Sequence, residues 1–203
     1  MANPSALGFR PVKYMNGSPW MGQANVYAVA TNCTTAIGWG DPVVMTGGAL
    51  TYGETSLKEI TRATATNTSI AGVAVGLEIT APGLSNGRSP NLDLPVYVPA
   101  SGTGKVVAIR VVDDIDVLFE AQTSVTTTFA AASLNQNSPM ILAATNTVTG
   151  VSASYLDEAN VATTTTFPWR IVDIANRPDN PSDTNQKVLV RINASQVYSV
   201  TGI

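Results

Sequence analysis

A chain of 203 residues is long enough for one domain with a substantial core, or for one domain with a long arm. Its net charge of -3 is spread over scattered acids with no Lys/Arg run to neutralise a row of phosphates, and its apolar runs fall short of the roughly 20 residues of a membrane span, so neither nucleic acid nor membrane is an expected partner. With no histidine and one cysteine, disulfide frameworks, Cys/His zinc sites and the usual base for a Ser, Thr or Cys nucleophile are excluded, while charged residues at 12%, about half the ordinary share, suit a surface covered by neighbours.

Residues 1–24 read as an extended N-terminal arm. Pro4, Pro11 and Pro19, with Gly8, Gly17 and Gly22, interrupt it too often for a helix or a central strand. Phe9, Val12, Tyr14, Met15, Trp20 and Met21 make it too apolar for a disordered tail. Such a segment needs a surface, either on its own domain or on a neighbouring subunit. The first residues lack the basic and apolar segments of a secretory signal, so synthesis in a cytoplasm is expected. A single β-rich domain is expected over 25–203.

Residues 25–31 alternate as a strand, and Cys33 reads as a small buried apolar side chain. Trp39-Gly40-Asp41-Pro42 turns into a short strand, Val43-Val44-Met45, which Thr46-Gly47-Gly48 ends. Residues 57–68 fit a short helix or a strand, with threonine favouring the extended form. Residues 70–79 are an interior strand whose Gly72 and Gly76, on one parity, allow a bulge or a close backbone approach. The polar loop 81–91, with Arg88, offers an exposed contact surface.

The densest strand signal runs over 94–122: a strand closed by Pro99, a turn at 101–104, a β-branched run over 105–112, a break at Asp113-Asp114 and a second run over 116–121. The threonine-rich segments 123–132 and 143–154 read as strands and edge loops, and residues 129–134 fit one helical turn equally well. Low-charge edges of this kind invite pairing unless another subunit covers them. Met140-Ile141-Leu142 is a short strand. Residues 167–174 form another, with Phe167, Trp169, Ile171 and Asp173 sharing a parity. After a turn-rich loop over 176–183, the closing strand 187–193 sets Val188, Val190 and Ile192 against Leu189, Arg191 and Asn193. Short strands at this spacing, without a long amphipathic helix, predict an all-β fold: a sandwich or barrel, jelly-roll-like, with the extended arm at its N-terminus.

The acids Asp113, Asp114, Asp116 and Glu120 raise a calcium or acid/base reading, but no EF-hand glycine follows and strand alternation separates them, so a strand-terminal turn is expected. Lys13, Lys58, Lys105 and Lys187 lie in no S-x-x-K pattern, and Gly102-Thr103-Gly104-Lys105 reads as a β-turn. Trp20, Trp39 and Trp169 could stack on sugars, although such residues more often anchor cores and interfaces. No catalytic, cofactor-binding or metal-ligating residue is assigned, and no enzyme activity is expected.

Several pieces in order, Gly8-Phe9-Arg10-Pro11-Val12, Asn16-Gly17-Ser18-Pro19-Trp20, Gly40-Asp41-Pro42-Val43-Val44, Gly72-Val73-Ala74-Val75-Gly76, the DDIDVLFE run over 113–120, Pro178-Asp179-Asn180 and Leu189-Val190-Arg191-Ile192-Asn193, resemble the head structural proteins of tailed bacteriophages, of the cement or decoration type. The resemblance implies a β-sandwich or barrel that binds the outer surface of the expanded icosahedral shell and bridges adjacent major capsid proteins. Its partners would be the major capsid protein and copies of itself, as dimer or trimer, with no cofactor. Related chains often end in an Asn-x-His-like segment, from which Asn193-Ala194-Ser195-Gln196 departs. The expected contact residues are Phe9, Arg10, Tyr14 and Trp20 of the arm, then Arg88, since aromatic and arginine anchors contribute most at interfaces. The alternatives are a receptor- or carbohydrate-binding module and a tail structural component.

Overall fold

The structure, a computed structural model, describes residues 7–52, 55–78, 107–124, 128–180 and 184–199. In chain order its strands are β1 (Arg10–Tyr14), β2 (Asn25–Val29), β3 (Pro42–Tyr52), β4 (Thr55–Arg62), β5 (Gly72–Leu77) and β6 (Ala108–Val112). They continue as β7 (Val117–Gln122), β8 (Asn137–Ser138), β9 (Met140–Ile141), β10 (Tyr155–Leu156), β11 (Trp169–Ile174) and β12 (Lys187–Ile192). The expected all-β class is observed; the described residues add two short 3₁₀ turns and no α-helix.

Strands β2-β4-β3-β5-β6 close into a barrel in that order, and β1-β7-β12-β11-β8 form an antiparallel sheet, giving a sandwich-like body. Strand parity explains how one body carries two cores. Val43, Ala74, Ile109 and Val111 point into the barrel beside Tyr27, Val29 and Ile60. Their neighbours Val44, Val73 and Val112 point the other way, into the layer between barrel and sheet, where they join Phe9, Phe119, Trp169, Ile171 and Val190. With both faces buried, these barrel strands read as continuous β-branched runs, not as polar and apolar residues in alternation.

The described part of the expected arm, residues 7–24, lies on its own domain. Phe9 is fully buried and stacks on Trp169 with ring centroids 4.1 Å apart. Beyond it β1 pairs with β7, Arg10 opposite Glu120 and Tyr14 opposite Val117. The chain then turns back, Tyr14 N–H donating to Ser18 O at 2.8 Å and Trp20 N–H to Val12 O at 3.1 Å, so residues 18–20 cover the outer edge of β1. Pro19, bridged to Lys13, carries no N–H for a further strand. At the opposite edge Asn137 and Ala162 exchange two bonds of 2.9 Å. Both outer strands of this sheet are thus flanked by segments of the same chain, while the segments expected as low-charge edges, 123–132 and 143–154, form no sheet strand among their described residues.

Three further differences have local causes. β3 does not stop at Thr46-Gly47-Gly48: with Gly47 at φ 81° the strand bulges between Met45 and Ala49 and pairs with β4 as far as Tyr52. A bulge between Ile171 and Asp173 reverses parity, so Asp173 faces Leu189 on the outside of the sheet while Trp169 and Ile171 stay inside. Residues 143–154, expected as strand or edge loop, form a loop laid against the barrel through the bridge Trp39 to Val151. Gly76, at φ 157°, sits where β5 slips its register with β6, as its sequence position suggested.

Candidate functional site

Of the five expected contact residues, Arg88 lies outside the described residues, and Phe9 is a core residue, buried because β1 faces it inward. Tyr14 and Trp20 are half-buried against the same core, and the Trp20 indole N–H donates to Gln23 O at 3.0 Å. Arg10 faces outward, its guanidinium 4.5 Å above the Trp39 ring. What this hairpin turns to solvent is Val12, Met15 and Met21, the last 76% exposed. Those side chains were visible in the sequence, but without the pairing of β1 nothing separated them from their inward neighbours.

Two buried carboxylates, Asp41 and Asp113, are internal fasteners. Asp41 is fully buried at the start of β3 and is neutralised by Arg62 of β4 at 2.9 Å. Its oxygens also accept from Gly38 N–H at 2.9 Å, Ser152 Oγ at 2.6 Å, Ser154 Oγ at 3.4 Å and Thr145 Oγ1. Arg62 Nη2 reaches on to Ala143 O. The cluster ties the loop 143–154 to the barrel and leaves no room for a substrate at the carboxylate. Asp113 is likewise internal, accepting from Tyr27 Oη at 2.6 Å and from Asn25 Nδ2 at 3.0 Å. Burial, followed by the bond to Asp113, raises the Tyr27 phenol well above its ordinary range.

The acids over 113–120 thus have separate roles. Asp114 Oδ1 accepts from Asp116 N–H at 2.9 Å, closing the β6–β7 turn as expected, and Glu120 pairs with Arg177 at 2.8 Å. No group of three or more His, Cys, Asp or Glu residues is placed to hold a metal ion among the described residues. A cleft of about 10 Å³ between Leu7, Arg10, Glu120 and Lys187 has the space of one water.

The outer face of the sheet carries the arrangement that the sequence concealed. Cations scattered along the chain are gathered by strand register: Arg10 is opposite Glu120, Lys13 opposite Leu118, Lys187 opposite Gln122, and Arg170 directly opposite Arg191. With Arg177 bound to Glu120, six of the chain's 11 Lys and Arg residues belong to one face of an acidic protein, five of them at least partly exposed and Lys187 buried. The Arg170–Arg191 pair is unusual, since like charges directly opposite each other repel. The ion pairs among the described residues join Arg62 to Asp41, Arg110 to Glu78, and Arg177 to Glu120 and Asp179, leaving both guanidiniums without a carboxylate. No protein family, curated protein or solved structure matches the chain.

Proposed function

We propose that this chain is a structural virion protein that binds the outer surface of a phage capsid and cements adjacent major capsid proteins, stabilising the head. The observation that supports this reading most is spatial: motifs on which the resemblance rests, distant in sequence, touch in the fold. Phe9 N–H of the first donates to Gly40 O of another at 2.9 Å, Arg10 covers Trp39 beside it, and Pro42 pairs with Val73 of the Gly72-to-Gly76 strand. Residues that must fit one another are less open to chance agreement than separate short matches. The fold that they join is two-cored, and its outward features are exposed apolar side chains and charges that enter no ion pair among the described residues, the materials of contact between proteins.

Cementing of this kind works by modest contacts repeated under the symmetry of the shell, because subunits held at several points dissociate far more slowly than at one. The test is to separate heads from tails in particles whose genome encodes the chain. The chain is expected in the head fraction, and heads lacking it are expected to assemble but to rupture at lower temperature. Recovery with the tails alone would overturn the reading.

A further inference from the structure

The β6–β7 turn and the Arg170–Arg191 pair lie at the same end of the sheet. β12 runs antiparallel to β7 with Val190 opposite Phe119, which sets Arg191 level with Leu118 and Asp116 two residues further along. Asp114 and Asp116, like the two arginines, enter no ion pair among the described residues. The acids therefore sit beside the arginine pair, close yet not joined, with Lys13, also opposite Leu118, on their other side. Apolar surface adjoins them. Met15, 47% exposed, donates its N–H to Asp116 O at 2.8 Å, and Tyr198, 56% exposed, lies within the negative field of Asp114, Asp113 and Asp116.

A patch with adjacent halves of opposite charge complements itself when turned by 180°, which is the requirement of an isologous interface. We propose that two copies of this chain pair through this patch, the Asp114–Asp116 turn of each seated on the Arg170–Arg191 pair of the other. A guanidinium pair that has no acid of its own among the described residues offers the bidentate geometry that a carboxylate takes best. The incoming carboxylates also remove the repulsion between the two arginines, so the charges that cost stability in one copy are compensated in two. Met15 and Tyr198 supply the apolar part that a stable interface needs beside its charges.

The inference rests on the proposed function only in taking the chain to act beside copies of itself. Sedimentation of the full chain over a range of concentrations tests it, with Asp116→Arg, Arg191→Glu, the milder Arg191→Gln, and the combined reversal Asp116→Arg with Arg191→Glu. Wild type is expected to dimerise, each single variant to weaken the dimer by about tenfold or more, and the combined reversal to recover most of the loss. Raising salt from about 0.1 M to about 1 M, which shortens the screening length from roughly 10 Å to roughly 3 Å, weakens the wild-type dimer in the same sense. A wild type that stays monomeric at low salt, single variants without effect, or a combined variant without rescue overturns the proposal. So does a monomer whose arginine pair instead binds a DNA duplex. Heads that bind a chain found to be monomeric would leave the shell reading standing, and a dimer absent from heads would do the reverse.

Discussion

Phe9 illustrates how a residue chosen correctly as important takes a different role. Its ring stacks on Trp169, which meets Phe119 edge-on at 5.5 Å, so the three aromatics form the centre of the layer between barrel and sheet. Phe9→Ala is expected to cost about 3–5 kcal/mol of folding stability, read by urea denaturation of the isolated protein; a contact residue would leave that midpoint unchanged. Glu158 is the second telling residue. Its carboxyl is buried, with Oε1 accepting from Ser133 Oγ at 3.0 Å and Ala130 N–H at 3.2 Å while Oε2 has no partner among the described residues. Burial raises its pKa above the ordinary 4.5, against the lowering effect of those two bonds. An acid whose folded pKa is raised contributes stability below its unfolded value and loses it as pH rises through the folded value. Glu158→Gln stays neutral and still accepts both bonds. Denaturation midpoints at about pH 4 and about pH 8 should therefore differ less for the variant than for wild type, with the variant at least as stable at the higher pH.

At the scale of elements, strand positions were legible because burial imposes parity, and deviations from parity were not. Val188, Val190 and Ile192 face the core as alternation required, yet one bulge before Asp173 moved that residue to the other face. No apolar pattern marks where such a bulge falls. Gly72 was legible for a different reason, since an interior glycine implies a close approach. A Cβ there would lie 2.7 Å from Val111 Cγ1 and closer still to the Val112 carbonyl of β6. Gly72→Ala is expected to destabilise by about 1–3 kcal/mol through this overpacking, seen as a lower melting temperature. Asp41 was read as a turn residue, but its full burial depends on Arg62 and the 143–154 loop arriving from elsewhere, which local sequence does not encode. Asp41→Asn leaves Arg62 without its counter-charge and brings an amide donor among hydroxyl donors. Breaking a buried pair in this way costs about 3–5 kcal/mol, measurable by chemical denaturation, whereas Lys58→Gln on the exposed part of β4 should change little.

For the whole molecule, the low content of ionisable side chains matters less than their placement. Six cations lie on the sheet's outer face, Lys187 buried within it, and the acids Asp114 and Asp116 lie at its end, so an apparently featureless charge pattern becomes polarised once the strands are in register. The same integration determines how the N-terminal segment must be tested. Deleting residues 1–24 would remove β1, expose the edge of β7 and take Phe9 from its stack on Trp169, so the truncated chain is expected to lose cooperative unfolding before any question of attachment arises. Loss of binding by such a truncation would say nothing about contacts. Met21→Glu and Val12→Glu separate the two effects, because both side chains are exposed on the hairpin and neither belongs to the patch proposed to pair two copies. Their melting temperatures should stay near wild type. If the hairpin meets the shell, attachment to empty heads should fall by about tenfold or more, since a buried carboxylate without a partner is costly at an interface. Val148→Glu, at an exposed position in the separate 143–154 loop, provides the comparison. Equal attachment of all three variants would place the shell contact on another surface of the body.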